Sequence, residues 1–333
     1  GSIGAEISRQ VLNYSPKRLI IIDQAETPTF DLQFEIQNSK EFSKYQNKIE
    51  FIVASVKDKF RMDKIISLYR PDIIYHAAAY KHVPLMEDNP YEALMVNIFG
   101  TKTMADLAKK YEVEKFVMVS TDKAVNPTNI MGASKRIAEI YIQSLSNGKT
   151  KFITTRFGNV LGSNGSVVPI FRKQIDQGGP VTITHKEITR YFMTIREACN
   201  LVLEAGAMGN GADIFVFDMG QPVKIYDMAK KMIKLLGYSE GQIKINEIGL
   251  RPGEKLYEEL LNNSENTLPT HHPKILRAEV NALTNNQINN YLVDLSSLIV
   301  ESNEYSLVSK MKEIVPEFVS NNSVYEKLDV KKR

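Results

Sequence analysis

Cysteine is almost absent. Cys199 is the one thiol in 333 residues, so no internal disulfide can form and the chain fits a reducing compartment. Cys199 itself reads as a core residue. An excess of one charge is also missing: 42 Lys and Arg face 39 Asp and Glu, a net of +3. With no basic run either, nothing implies a nucleic-acid partner. No apolar stretch approaches the roughly 20 residues of a membrane helix. No signal peptide, repeat or low-complexity tract is visible. What is left is a soluble, cytoplasmic-type chain, 43% hydrophobic and 24% charged, long enough for one large domain or two smaller ones. Residues 331–333 read as a solvated basic tail.

Short apolar runs are present at 18–23, 49–53, 73–76, 116–120 and 151–155. They read as buried parallel strands. Helical patterns at 58–69, 91–111 and 131–145 alternate with them, which predicts an α/β fold with a doubly wound parallel sheet. From about Phe157 the rhythm loosens into Gly- and Pro-containing loops, with helical patterns at 225–236 and 256–261. The expected division is a dinucleotide-binding part at 1–156, a smaller interleaved part at 157–280, and a helical tail at 281–333. The opening Gly1-Ser2-Ile3-Gly4 runs directly into an amphipathic pattern through Ile7 and Val11, which reads as the second half of a strand–turn–helix unit. The expectation is that the polypeptide extends upstream.

In open α/β sheets, ligands bind beyond the carboxyl ends of the strands. A glycine turn at Gly1 and Gly4 can bring backbone N–H groups to a pyrophosphate, although a plain tight turn has the same pattern. Asp23, at the end of a strand about 20 residues later, is placed to accept from adenosine ribose hydroxyls. It would repel a 2′-phosphate, which favours NAD over NADP; the alternative is a helix cap. Ala77, Ala78 and Ala79 follow another strand and allow either close passage beside a cofactor or small-residue packing. Ser120, Thr121, Asp122 and Lys123 follow the fourth strand, where one loop supplies a proton donor and a proton acceptor. Taken alone, an Asp-Lys pair is more often solvated. Met131 and Lys135 are four apart on one helix face, from which the lysine reaches the nicotinamide ribose.

Four segments occur together and in order: HAAAYKHVPLME at 76–87, STDKAVNP at 120–127, RFGNVLG at 156–162 and RPGEK at 251–255. The combination resembles the extended short-chain dehydrogenase/reductases, and among them the bacterial UDP-N-acetylglucosamine 4,6-dehydratases of polysaccharide biosynthesis. The resemblance runs from Gly1 to about Ala278. It implies a Rossmann-like fold with a smaller C-terminal substrate-binding domain, bound NAD, a UDP-sugar substrate and no metal. The implied reaction is redox-neutral: hydride leaves C4, the C5 proton becomes acidic, the C6 hydroxyl departs, and hydride returns to C6. Thr121 would hold the C4 oxygen, Asp122 protonate the C6 hydroxyl, and Lys123 act as base at C5. Lys135 would orient the cofactor and lower the barrier electrostatically. Ser120 and Asn97 would lie on the cofactor side, and Lys81 and His82 beside the substrate. Arg156 and Asn159 resemble residues next to the diphosphate and sugar. Arg190 and Arg251 suit phosphate through their guanidinium forks, with a structural role as the alternative. Glu254 would meet the uridine ribose. Similar proteins often form homo-oligomers.

Two positions depart from the pattern. The wider superfamily has tyrosine where this chain has Met131, and a thioether cannot exchange the C4 hydroxyl proton; Asp122 is the candidate instead. A long, membrane-anchored branch is similar in carrying methionine there and is described as retaining configuration at C5, whereas the short branch keeps tyrosine and inverts. Membership of that branch would place the chain on the cytoplasmic face of a bacterial inner membrane, held by an upstream anchor. Ser55, followed by Val56, stands where many relatives have an aspartate on the adenine amino group. The other readings are a nucleotide-sugar 4-epimerase, which needs no C5 base, and a non-catalytic NAD-binding regulator.

Overall fold

The computed structural model describes residues 1–145, 148–239, 241–261, 266–280, 283–301 and 303–329. The expected basic tail at 331–333 lies outside them. Helix α1 (Ser2–Leu12) leads to β1 (Leu19–Asp23), α2 (Glu26–Asn38) and β2 (Ile49–Val53). Helix α3 (Lys59–Tyr69) starts at Asp58, whose side chain accepts from Arg61 N–H, and precedes β3 (Ile73–His76). Helices α4 (Val83–Glu87) and α5 (Pro90–Ala93) follow. The latter continues through a π-helical segment, Leu94–Gly100, into α6 (Thr101–Lys110). Strand β4 (Lys115–Val119), helix α7 (Ile130–Ser144) and strand β5 (Lys151–Arg156) complete the alternating half.

The looser half contains β6 (Asn159–Leu161), α8 (Val167–Asp176), β7 (Val181–Ile183), β8 (Thr189–Arg190), β9 (Phe192–Thr194) and α9 (Ile195–Met208). After these come β10 (Asp213–Phe217), β11 (Val223–Lys224), α10 (Ile225–Leu235), β12 (Ile245–Glu247), β13 (Asn266–Pro269) and β14 (Ile275–Glu279). Helices α11 (Asn285–Glu301) and α12 (Glu304–Ile314) follow.

The central sheet runs β13-β14-β10-β5-β4-β3, with β3, β4, β5 and β10 parallel and β14 antiparallel to both of its neighbours, β10 and β13. Strands β1 and β2 form a separate parallel pair. Period-two alternation sends neighbouring residues of β4 to opposite faces. Phe116 and Met118 join a core with α3, α6, α7, α11 and α12, while Val117 joins one with α1 and α9. Helices therefore cover both faces, as expected of a doubly wound sheet. The chain after residue 156 is interleaved: β10, β13 and β14 extend the sheet, while α8, α10, β7 and their neighbours close a smaller core around Phe171, Ile175 and Ile233. Among the described residues no helix is long and apolar enough to cross a membrane.

Two expected elements differ. The pattern at 91–111 is helical but passes through the π segment, whose wider turn carries Asn97 inward. The pattern at 256–261 is not a helix. Arg190 and the Thr189 N–H take up the carbonyls of Lys255 and Leu256, which a helix would need for its own ladder.

Candidate active site

At the carboxyl end of β4 the chain is pinned to the continuation of β5: Ser120 N–H donates to Thr155 O (2.7 Å) and Asp122 N–H to Phe157 O (3.1 Å). The single 3₁₀ turn Asp122–Ala124 then buries the Asp122 carboxyl completely. Its Oδ1 accepts from Thr121 Oγ1 (2.9 Å) and Lys123 Nζ (3.0 Å), whereas Oδ2 is buried with no hydrogen-bond partner among the described residues. Burial raises the Asp122 pKa, since a charged carboxylate loses its water shell there. Gly158 keeps this pocket open, because a Cβ at that position would lie 3.0 Å from Asp122 Oδ2.

Lys123 Nζ also reaches Asn159 Oδ1 (3.3 Å) and Glu258 Oε1 (3.4 Å). Glu258 was not singled out from the sequence. It is buried, lies 3.6 Å from Arg190 Nε, and leaves its second oxygen unpartnered among the described residues. Burial works to lower the Lys123 pKa, but Asp122 and Glu258 outweigh it and the net direction is upward. The position four residues after Glu254 was the available signal for Glu258, and it carries no chemistry by itself.

Helix α7 begins under the same loop. Asn129 caps it through Gly132 N–H (2.7 Å), and Glu87 accepts from Ile130 N–H (2.7 Å). Gly132 is required by proximity: a Cβ there would collide with the carbonyl oxygen of Lys123. Met131 is 3% exposed and packs in the core cluster that α7 shares with α6 and α12. Lys135, one turn on, donates to Val119 O (2.8 Å), and burial pushes its pKa down to about 8.

Three residues expected at the ligands also make close contacts within the protein. Arg156 is 1% exposed, and its guanidinium grips the buried Glu139 at 2.9 and 2.6 Å, inside the sheet–helix core. Ser120 turns its hydroxyl to the same Glu139 (2.7 Å). Asn97 is fully buried; it accepts from Tyr80 N–H (2.8 Å) and donates to Tyr80 O (3.0 Å) and Ser134 Oγ (2.9 Å). It therefore fixes the loop after β3. Glu139 was invisible beforehand because an acid within a helical pattern reads as solvent-facing.

At the carboxyl end of β1, in the separate β1–β2 pair, Asp23 lies beside the start of α1, with Gly1 N 3.2 Å from Oδ2. Its Oδ1 accepts from Ala25 N–H (2.9 Å), two residues on, while helix α2 itself has no side-chain cap. Nothing lies within 4 Å of a Cβ built on Gly1 or Gly4. Ser2 Oγ accepts from Asn164 N–H (3.1 Å), and Ile3 O lies 3.6 Å from the buried Cys199 thiol, whose pKa burial raises to about 12. Ser55 donates to Gln24 (3.0 Å), and Gln24 to the Tyr80 hydroxyl (3.2 Å). That relay runs from the end of β1 to the loop of Ala77, Ala78 and Ala79. Val56 packs against Gly100.

Toward the smaller core, Lys81 donates to Asn164 O (2.8 Å) and the His82 ring lies over Gly165. Burial and Lys123 both lower the Lys81 pKa, so the two ammonium groups share one electrostatic neighbourhood. Arg190 donates to Thr189 O, Leu256 O and Lys255 O and lies 3.3 Å from Glu254 Oε1, which realises its structural alternative. Glu254 accepts from Thr184 Oγ1 (3.1 Å) and Arg251 N–H (3.1 Å). The Arg251 side chain is exposed, with no ion pair among the described residues. A cleft of about 1130 Å³ along α1 and α2 touches Gly1 and Ser2 but none of residues 120–135.

The chain is similar to several known proteins. It is 52% identical to the capsular polysaccharide biosynthesis protein CapD of Staphylococcus aureus over 89% of its own length and 49% of the CapD length, so it spans about half of that relative. It is 34% identical to a UDP-N-acetylglucosamine 4,6-dehydratase (inverting) of Campylobacter jejuni, over 80% of this chain and 77% of the relative. Among solved structures, Pen from Bacillus thuringiensis superposes with a TM-score of 0.75 at 32% identity, covering 88% of this chain and 95% of Pen. Residues 1–280 match the polysaccharide biosynthesis protein family model, and the chain belongs to that family, within the extended short-chain dehydrogenase/reductase superfamily.

Proposed function

We propose that this chain carries out the NAD-dependent 4,6-dehydration of UDP-N-acetylglucosamine to a UDP-4-keto-6-deoxy-N-acetylhexosamine, with retention at C5. The broader reading, a nucleotide-sugar dehydratase or epimerase, has the support of relatives with those names. The observation that favours dehydration is the Asp122–Lys123 pair at the carboxyl end of β4, hydrogen-bonded at 3.0 Å with Asp122 buried and Lys123 partly exposed. A 4-epimerase needs no base at C5, whereas a dehydratase needs an acid and a base together.

The residues fit NAD. The Asp23 Oδ2 carboxylate oxygen lies beside the glycine turn, and Lys135 reaches the end of β4. When bound, NAD supplies a hydride acceptor at C4 and returns the hydride at C6. The chain handles the protons. Asp122 takes the C4 hydroxyl proton as hydride leaves and then gives it to the departing C6 hydroxyl, while Lys123, once it has lost its own proton, accepts the C5 proton and returns it to C5 as hydride adds at C6. Burial raises the Asp122 pKa, which suits a carboxyl that carries a proton from C4 to the C6 hydroxyl. Thr121 Oγ1, already bonded to Asp122, is placed to hold the C4 oxygen. Arg251 and Glu254 serve the nucleotide half, and residues 157–280 contribute most of the substrate side.

Retention rests on Met131. The C. jejuni relative is named as inverting, and in the branch read as inverting a tyrosine stands at this position. Incubation with UDP-N-acetylglucosamine, followed by NMR, tests the function. A 6-methyl, 4-keto product without NADH accumulation supports it. Formation of UDP-N-acetylgalactosamine establishes the epimerase instead, and bound NAD without turnover establishes a regulator.

A further inference from the structure

The family match ends at residue 280, yet the chain beyond it returns to the site. After α12, residues 319–323 run along the start of α7 and the 250–254 turn. Val319 N–H donates to Pro127 O (3.2 Å) and Asn321 N–H to Thr128 O (3.2 Å), while Asn321 O accepts from Gly253 N–H (2.7 Å). The Asn321 amide donates to Glu254 O (2.8 Å) and the Asn322 amide to Leu250 O (2.7 Å). Ser323 Oγ donates to Glu87 Oε2 (2.6 Å), the carboxylate whose other oxygen caps α7. From the opposite side, Thr128 and Asn129 donate to Gly253 O at 2.9 and 3.0 Å. Gly253 has φ +75°, and a Cβ there would collide with Asn129.

The turn carrying Arg251 and Glu254 is thus held by a segment from far along the chain rather than by its own helix. We infer that Asn321 is a positioning residue for nucleotide binding: residues 319–323 tether the 250–254 turn to the start of α7, so that Arg251 and Glu254 are presented at a fixed distance from Asp122 and Lys123. The inference rests on the nucleotide-sugar reading of that turn. Its physical basis is preorganisation, since a turn fixed before binding spares the ligand the cost of ordering it.

The test is UDP binding to the 333-residue chain by calorimetry, with thermal unfolding measured in parallel. Asn321→Ala removes the amide link and is expected to weaken UDP binding about tenfold, the effect of roughly one lost hydrogen bond. Asn322 is exposed with φ +52°, so Asn322→Gly removes its amide without backbone strain and keeps the test usable if Asn321→Ala fails to fold. It is expected to weaken UDP binding severalfold. In both variants KM for the UDP-sugar rises while kcat changes little. Lowered thermal stability with unchanged UDP affinity in both variants overturns the tether. A wild-type chain that binds no UDP overturns the nucleotide reading of the turn, and the tether with it.

Discussion

Glu258 Oε1 lies 3.4 Å from Lys123 Nζ, so the proposed C5 base is shared between two carboxylates rather than paired with one. Glu258 raises the Lys123 pKa, and the amine must be neutral to accept a proton. Activity should therefore rise with pH as Lys123 loses its proton. Glu258→Gln removes one of the two charges that hold that proton, and the rising limb of the kcat profile should move to lower pH. An unmoved limb would show that Lys123 is not the group titrating there.

Lys123→Ala should abolish dehydration while NAD stays bound, because the residues at the glycine turn and Asp23 are untouched. Asp122→Asn should lose activity through the missing acid, with a cofactor content equal to wild type. Both are read by product NMR alongside release of bound nucleotide on denaturation. Retained activity in Lys123→Ala would sink the base assignment.

Gly132→Ala tests the approach of α7 to the catalytic loop. Alanine favours a helix by about 1 kcal/mol over glycine, yet its Cβ would collide with the Lys123 carbonyl. The loop has to move, and a displacement of that kind can cost about a hundredfold in rate. A fully active Gly132→Ala enzyme would mean that the loop position is not critical.

His76 is buried against Thr101 (2.9 Å), and desolvation pushes its pKa from 6.5 down to about 3. The unfolded chain therefore binds a proton that the folded chain refuses between about pH 6.5 and 3. In that window stability falls as pH falls, by up to about 1.4 kcal/mol per unit from this residue alone. Thr101 still donates to Asn97 O (2.8 Å) without it, so His76→Phe should flatten the acid limb of a denaturation series. An unchanged slope would contradict the assignment.

Much of this was legible beforehand, for identifiable reasons. The β4 run and the α7 pattern are apolar on the faces that pack, and the strand ends point to where a loop can carry chemistry. Thr121, Asp122, Lys123 and Lys135 followed from that placement and from the linked segments. The internal partners of Arg156 and Asn97 were not legible, because a motif shows residue type but not which way a side chain turns: one grips Glu139 and the other closes a loop. Glu258 and Glu139 were missed because their partners, Lys123 and Arg156, are remote in sequence. The 256–261 pattern failed as a helix because Arg190, also distant, claims its carbonyls.

Met131 is the ground for reading retention at C5, and one experiment tests that reading and the chemistry together. Wild-type enzyme is run on UDP-N-acetylglucosamine in D2O, and the product is analysed by NMR. The account predicts a 6-methyl, 4-keto sugar that carries deuterium at C5 in the retained configuration, with no net NADH. Inversion at C5 would contradict the retention read from Met131, and a C4 epimer without deuterium at C5 would contradict dehydration by Asp122 and Lys123.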